Sequence, residues 1–148
     1  MVCNKMNNIL DTVRKKIMIQ NEQELFDYLK ARFIKDLEPS EHQYSKYDCY
    51  SKEKNIDLEL KCRQKHYDDL LIEKDKYDSL LARASQFGTK PYYVNSTPEG
   101  VFVFNLSTMT QPEWELRLMP KTSHFSNREK VEKVVGYLSI KKGLKLLD

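Results

Sequence analysis

The spacing of hydrophobic residues changes between helical and strand periodicity along the chain, which predicts a mixture of helices and strands. Apolar residues at helical intervals predict a first helix over residues 8–19. A second helix is predicted to start at Asn21, which with Glu24 forms a start like a capping box, and to end at Pro39. The apolar stripe of this second helix contains Leu25, Leu29 and Phe33, with Phe26 and Leu37 beside them.

A β-hairpin is predicted after the second helix. Residues 44–50 form an extended, aromatic-rich stretch, residues 51–55 resemble a turn, and residues 56–62 alternate between apolar and polar side chains. Because side chains alternate across a strand, the second strand has an apolar and a polar face. The apolar face contains Ile56, Leu58, Leu60 and Cys62, and the polar face contains Asp57, Glu59, Lys61 and Arg63.

The rest of the chain is predicted to alternate between helices and strands. Apolar spacing predicts a helix over residues 68–84, strands at 92–94 and 101–106, a short element at 114–118 and a helix over about 128–138. The buried side of the helix over residues 68–84 is expected to contain Leu70, Leu71, Tyr77, Leu80, Leu81 and Ala84. The predicted fold class is α/β (α+β), with a mixed central β-sheet flanked by helices.

Length and composition narrow the classes of protein to consider. A chain of 148 residues with 40% hydrophobic residues is expected to form one compact domain. No apolar run approaches the roughly 20 residues that span a bilayer, and no hydrophobic signal core is seen, so we expect a soluble, cytoplasmic protein with no membrane partner. With three cysteines, four glycines and no G-x-S-x-G motif, the sequence argues against a disulfide framework, a nucleoside-triphosphatase and a serine hydrolase.

Charge is unevenly distributed along the chain. The net charge of +3 combines +3 in residues 1–20, −4 in residues 21–120 and +4 in residues 121–148. A protein that holds metal ions centrally and a polyanion at its flanks would have basic ends around an acidic middle, and basic termini are also common features that aid solubility.

The predicted hairpin brings together the residues with the clearest chemistry. Glu59 and Lys61 are expected to lie about 6–7 Å apart on one face of the second strand, while Leu60 packs into the core and leaves its carbonyl available. With Asp48 from the first strand, the site has two carboxylates and a carbonyl, which are ligands that suit Mg²⁺ or Mn²⁺. Asp57 lies on the same face, so it is either a second neighbour of the metal or the upstream ligand in place of Asp48.

This pattern resembles the motif of the PD-(D/E)XK nuclease superfamily. Glu59-Leu60-Lys61 matches the ExK element, and Asp48, eleven positions before Glu59, matches the acidic residue of the first half-motif. Tyr47 replaces the nominal proline. The resemblance covers about residues 21–106 and implies a restriction-endonuclease-like core: a helix, the motif hairpin, a second helix and a further strand.

The resemblance also implies how the chain is organised. A single nuclease-like domain is expected over residues 1–148, with a basic N-terminal helix over 8–19 and a C-terminal extension over 107–148. The chain also resembles small phage and mobile-element proteins, which implies the cytoplasm of a host cell for a phage-encoded protein.

The resemblance implies a Mg²⁺-dependent nuclease that hydrolyses phosphodiester bonds of DNA, with branched or junction DNA as one substrate class. The implied catalytic residues are Asp48, Glu59, Lys61 and Glu24, with Glu22 and Glu41 as further candidates for the helix glutamate. The implied ligands of one or two Mg²⁺ or Mn²⁺ ions are Asp48, Glu59 and the Leu60 carbonyl. Lys61 is expected to orient or help deprotonate an attacking water and to offset charge at the phosphate.

Four basic residues near the motif are candidates for contact with nucleic acid: Arg63, Lys65, Lys74 and Lys76. Charges on a solvated face are the ordinary alternative for each of them. A homodimer is left open, since two copies would allow two sites to meet two DNA strands.

Two other functions stay open at this point. The first is a nucleic-acid-binding protein with the same fold but without catalysis. The second is a phage-type interaction or inhibitor module that uses its aromatic-rich sheet as a protein interface. Function must be decided from the site, because one fold supports several functions.

Overall fold

The structure, a computed structural model, describes residues 19–40, 48–121 and 129–147. Most of the predicted first helix lies outside these residues, as do Glu41 and the first four residues of the predicted hairpin. Among the described residues, no helix is long and apolar enough to cross a membrane.

The described residues form two α-helices, one short 3₁₀ helix (Ile140–Lys142) and two β-sheets. Helix α1 is Glu22–Arg32 and helix α2 is Lys74–Phe87; the strands are β1 Glu38–Pro39, β2 Asp48–Ser51, β3 Ile56–Cys62, β4 Asp69–Glu73, β5 Lys90–Thr97, β6 Gly100–Asn105, β7 Glu115–Pro120, β8 Lys130–Ser139 and β9 Leu144–Lys145. The larger sheet has the order β1-β2-β3-β5-β6-β9, and the smaller one has the order β4-β8-β7. Strands β3 and β5 are parallel, and β4 with α2 forms the crossover that a parallel pair requires.

The start of helix α1 is the one predicted. The side chain of Asn21 caps the helix by accepting a hydrogen bond from the backbone N–H of Glu24 at 2.9 Å. The Glu24 carboxylate accepts in return from the backbone N–H of Gln20 at 2.6 Å, one residue earlier than in a regular capping box.

The predicted end of this helix at Pro39 is wrong. The helix ends at Arg32, where the backbone N–H groups of Phe33 and Ile34 both bind the carbonyl of Leu29. The chain turns there because Ile34 packs into the core instead of continuing along the helix. Pro39 lies in β1, an edge strand, where the missing N–H of proline is tolerated.

The predicted helix over residues 68–84 is wrong in its first part. Residues Asp69–Glu73 form β4, which pairs antiparallel with β8 and alternates between buried and less buried side chains. Helix α2 starts only at Lys74, and the side chain of Glu73 makes no capping hydrogen bond. The boundary between β4 and α2 therefore has no capping signal. The continuous apolar run of residues 70–72 fits either a strand or a helix.

The predicted helix over about residues 128–138 is also wrong, because Lys130–Ser139 is strand β8. This strand pairs with both β4 and β7, and these pairings outweigh the helical spacing of its apolar residues. Gly136 is required by close packing. A Cβ at this position would lie 2.9 Å from Pro112 and 3.0 Å from Trp114.

Two apolar cores cover the two faces of the larger sheet. On one face, Leu25 and Leu29 of α1 pack against Leu58 and Leu60 of β3. The other face packs against α2 and the smaller sheet; its core contains Leu70, Ile72, Tyr77, Leu80, Tyr93, Phe102, Phe104, Leu106 and Leu138. A mixed sheet with a helix on each face confirms the predicted fold class.

Candidate active site

Asp48 and Glu59 lie directly opposite each other on neighbouring strands. They are register partners in the antiparallel pair of β2 and β3, so their side chains lie on the same face of the sheet. Both are buried, with 4% of Asp48 and 8% of Glu59 exposed. The structure therefore brings together the two carboxylates that were predicted to form the acidic site.

A third buried carboxylate, Asp57, is bound by helix α2 and the segment after it. Arg83 Nε donates to Asp57 Oδ1 at 3.2 Å, and the Thr89 hydroxyl donates to Asp57 Oδ2. Arg83 also reaches the pair described above, since its Nη1 lies 3.3 Å from Asp48 Oδ2. One guanidinium thus partly neutralises two of the three acids on this face.

Lys61 lies two residues after Glu59 and on the same face of β3. Burial lowers the pKa of the Lys61 amine below its usual value, and the nearby charge of Arg63 lowers it further. The carboxylates of Glu22 and Glu73 act in the opposite direction. A lysine with a lowered pKa has a larger fraction of neutral amine, which is the form that accepts a proton from water.

The glutamates of helix α1 are placed differently from one another. Glu24 is exposed and closes the start of the helix through its bond to Gln20. Glu22 is less exposed, and its charge acts on Lys61. The electrostatic connection between α1 and the site therefore runs through Glu22, whereas Glu24 was the first candidate from the sequence.

Two of the four residues predicted to contact nucleic acid, Arg63 and Lys74, bind other residues of the protein. Arg63 donates to Asn95 Oδ1 and to the Tyr93 hydroxyl, both at 3.1 Å, and to the Leu71 carbonyl. Lys74 forms a 2.6 Å ion pair with Asp78 one helical turn away. These bonds tie Arg63 to strand packing and Lys74 to the surface of α2.

The other two residues predicted to contact nucleic acid, Lys65 and Lys76, are accessible to solvent. Lys65 is exposed, and Lys76 is partly exposed in the first turn of α2. The positive charge of Lys76 contributes to the lowered pKa of Lys61, so Lys76 lies on the side of the site that includes Lys61. Both side chains are accessible to solvent.

Buried hydrogen-bond donors without partners occur near both ends of the acidic face. Within the described ranges, Arg83 Nη2 and Asn95 Nδ2 are buried and have no hydrogen-bond partner. Asn95 is the register partner of Lys61 on β5. Most buried polar groups in proteins are hydrogen-bonded, so these two donors, one on Arg83 beside Asp48 and one on Asn95 beside Lys61, are exceptions to the usual pattern.

Arg83, Thr89 and Asn95 were not identified from the sequence. A weak signal exists for Arg83, which follows Leu80 by three positions and therefore lies next to the buried stripe of α2. Asn95 is a fully buried amide in the middle of strand β5. The chain gives no local sign that these residues contact β3, because their partners lie 26 to 34 positions away in the sequence.

The chemistry of the acidic pair fits Mg²⁺ or Mn²⁺. Carboxylate oxygens are the hard ligands that these ions prefer, and Mg²⁺ is usually bound by one or two carboxylates together with water and substrate phosphate. Among the residues that the structure describes, no group of three or more His, Cys, Asp or Glu side chains is arranged to hold a metal ion. Asp48 and Glu59 are the residues that would hold such an ion.

The fold is similar to that of a solved archaeal protein, Hjc of Archaeoglobus fulgidus, described as a Holliday junction resolvase from a hyperthermophile. The two structures align with a TM-score of 0.54 and 15% sequence identity, over 84% of this chain and 88% of that one. The chain has a restriction-endonuclease-like fold. No family model and no curated protein sequence matches the chain.

Proposed function

We propose that the chain is a Mg²⁺- or Mn²⁺-dependent nuclease that hydrolyses phosphodiester bonds of DNA and prefers branched DNA. The observation that carries this proposal is the buried pair of Asp48 and Glu59, directly opposite each other and followed on the same face by Lys61. The similarity in fold to a Holliday junction resolvase supports branched DNA as the substrate.

In this proposal the acidic pair holds the metal. Asp48, Glu59 and the backbone carbonyl of Leu60 would hold one or two ions. A bound ion would lower the pKa of its water and neutralise charge developing on the phosphate. Asp48 is preferred to Asp57 because it is the register partner of Glu59, and because the second oxygen of Asp57 is bound by Thr89.

Lys61 is proposed to orient the attacking water and to take up its proton. The lowered pKa of Lys61 supports this role, because at a given pH a larger fraction of the amine is neutral. A glutamate of α1 is proposed to assist at the metal directly or through a water molecule. Glu24 is the candidate from the sequence motif, and Glu22 is the one whose charge acts on Lys61.

Lys65 and Lys76 are proposed to contact backbone phosphates, together with basic residues of the two ends of the chain. Such contacts depend strongly on salt and little on base sequence. One chain contributes one acidic pair, so cutting both strands of a junction requires a homodimer or two successive events.

The proposal is tested with labelled four-way-junction and linear duplexes of matched sequence, incubated with Mg²⁺, Mn²⁺ or EDTA. We expect tighter binding to the junction, and cleavage products with either metal and none in EDTA. Binding of the junction without products in either metal would indicate a nucleic-acid-binding protein without catalysis. Absence of binding to both DNAs at moderate salt would favour the protein-interaction function.

A further inference from the structure

A cavity of about 500 Å³ opens where helix α2 ends and the β2–β3 hairpin turns. Its lining includes Tyr50, Asp57, Arg83 and Phe87, and we call it the hairpin cavity. It shares Asp57 and Arg83 with the acidic face but does not include Glu59. Cavities of this size take small organic groups.

The hairpin cavity lies next to the acidic pair along the strands. Tyr50 and Asp57 are register partners, and they are the next pair on the same face after Asp48 and Glu59. Two residues of strand advance by about 6.6 Å, which is about twice the 3.4 Å rise of one nucleotide along a DNA strand. A group in the cavity therefore lies within one or two nucleotides of a phosphate held at the acidic pair.

The walls of the hairpin cavity favour a flat aromatic group. Phe87 is a large apolar residue with 65% of its surface exposed, and Tyr50 provides a second aromatic ring. The carboxylate of Asp57 is turned to Arg83 and Thr89, so it does not leave a free charge in the cavity.

A lysine, Lys52, lies at the rim of the hairpin cavity. Lys52 lines it from the hairpin turn and is exposed. An aromatic interior with a lysine at the edge matches a nucleotide, whose base stacks on a ring and whose phosphate stays in solvent.

We propose that the hairpin cavity receives an unpaired base of the DNA, one or two nucleotides from the scissile phosphate, with Phe87 as the stacking surface. This inference rests on the proposed nuclease function and adds a reason for a preference for branched DNA. A base within a duplex is stacked and paired and cannot enter a cavity without being extruded, whereas nucleotides at a branch are already free.

The inference is tested by a double-mutant cycle in which one change is made in the protein and the other in the DNA. Dissociation constants are measured in EDTA and cleavage rates in Mg²⁺. On the DNA, single abasic sites are placed at each unpaired position beside the branch. On the protein, Phe87→Ala is compared with Phe87→Tyr, which keeps a ring, and with Leu118→Ala, which removes another exposed apolar side chain (64% exposed).

We expect one abasic position to weaken binding by the wild type about 10-fold, and Phe87→Ala to weaken binding of the intact junction to the same extent. The two changes together should cost about 10-fold and not about 100-fold, because each removes the same contact. Phe87→Tyr and Leu118→Ala should bind as the wild type does.

Equal sensitivity of the wild type and Phe87→Ala to every abasic site would overturn the inference. If the wild type still cleaved the intact junction, only the inference about the hairpin cavity would fail, and the proposed nuclease function would stand. Failure of the wild type to bind any DNA would overturn both proposals.

Discussion

Arg83 of helix α2 binds Asp48, with 3.3 Å between Arg83 Nη1 and Asp48 Oδ2, and the same guanidinium binds Asp57. A helix on one face of the sheet therefore supplies the positive charge that stabilises two buried acids. A divalent cation at Asp48 and Glu59 would share Asp48 with Arg83. Metal binding and the Arg83 contact are thus expected to be linked.

Replacing Arg83 tests this link. We expect Arg83→Gln to lower the free energy of unfolding in EDTA by about 3 kcal/mol, because two buried carboxylates lose their cation. Mg²⁺ should then stabilise the variant more than the wild type, since the ion replaces the lost charge. Urea unfolding with and without Mg²⁺ measures both effects.

Arg117→Gln is the matched control, because Arg117 is exposed on β7, which belongs to the smaller sheet, whereas the acidic residues lie in the larger one. It should change the free energy of unfolding little, and its response to Mg²⁺ should equal that of the wild type. An equal gain from Mg²⁺ in Arg83→Gln and the wild type would contradict the link.

Lys61 is expected to reduce stability while it supports catalysis. A lysine whose pKa is lower in the folded state than in the unfolded state disfavours folding while it is charged in both. Lys61→Met should therefore unfold at a higher temperature than the wild type at neutral pH, and lose cleavage by about 10²- to 10³-fold.

The pH dependence of this difference has a defined sign. As pH rises above the folded-state pKa towards 10.5, the wild type should gain stability relative to Lys61→Met, because the unfolded state then binds more protons. Lys76→Met is the control: it should weaken DNA binding without a gain in stability. A lower unfolding temperature for Lys61→Met at neutral pH would show that Lys61 is a structural residue.

The sequence predicted the acidic pair because strand alternation and a hairpin are local properties. Asp48 and Glu59 are separated by one turn, so their register follows from its length, and Glu59 and Lys61 share a face by the two-residue period. Arg83 could not be predicted in the same way. Its contact to β3 depends on how α2 packs across the sheet, which no short-range pattern encodes.

The same limit explains the errors in secondary structure. Strand β8 has apolar residues at helical spacing, and it is a strand because β4 and β7 lie on both sides of it. Strand β4 becomes recognisable only through its pairing with β8, since the residue before α2 makes no side-chain cap. Pairing between segments that are distant in sequence therefore determines that both β4 and β8 are strands.

Asp36 is expected to hold the hairpin that carries the acidic pair. Its carboxylate accepts hydrogen bonds from the Ser51 hydroxyl at 2.5 Å and from the backbone N–H of Glu53 at 3.0 Å. These bonds lower the pKa of Asp36, the backbone bond most. Stability from this group is present above pH 3.8 and is lost as pH falls through the folded-state pKa.

Asp36→Asn should therefore lower the unfolding temperature at about pH 7, and the difference from the wild type should shrink towards about pH 3. Asp78→Asn, which removes an exposed ion pair on α2, should have little effect at either pH. A difference for Asp36→Asn that stays constant over this range would show that the charge of Asp36 does not contribute.

The most direct test of the central claim compares Glu59→Gln with Glu113→Gln on a labelled four-way junction in Mg²⁺. Glu59 is buried opposite Asp48, whereas Glu113 is an exposed residue before β7, so the two variants differ in position and not in chemistry. We predict that Glu59→Gln binds the junction and cleaves it at least about 10²-fold more slowly, while Glu113→Gln cleaves as the wild type does. Equal cleavage rates for Glu59→Gln and the wild type would contradict the claim that the acidic pair is the active site.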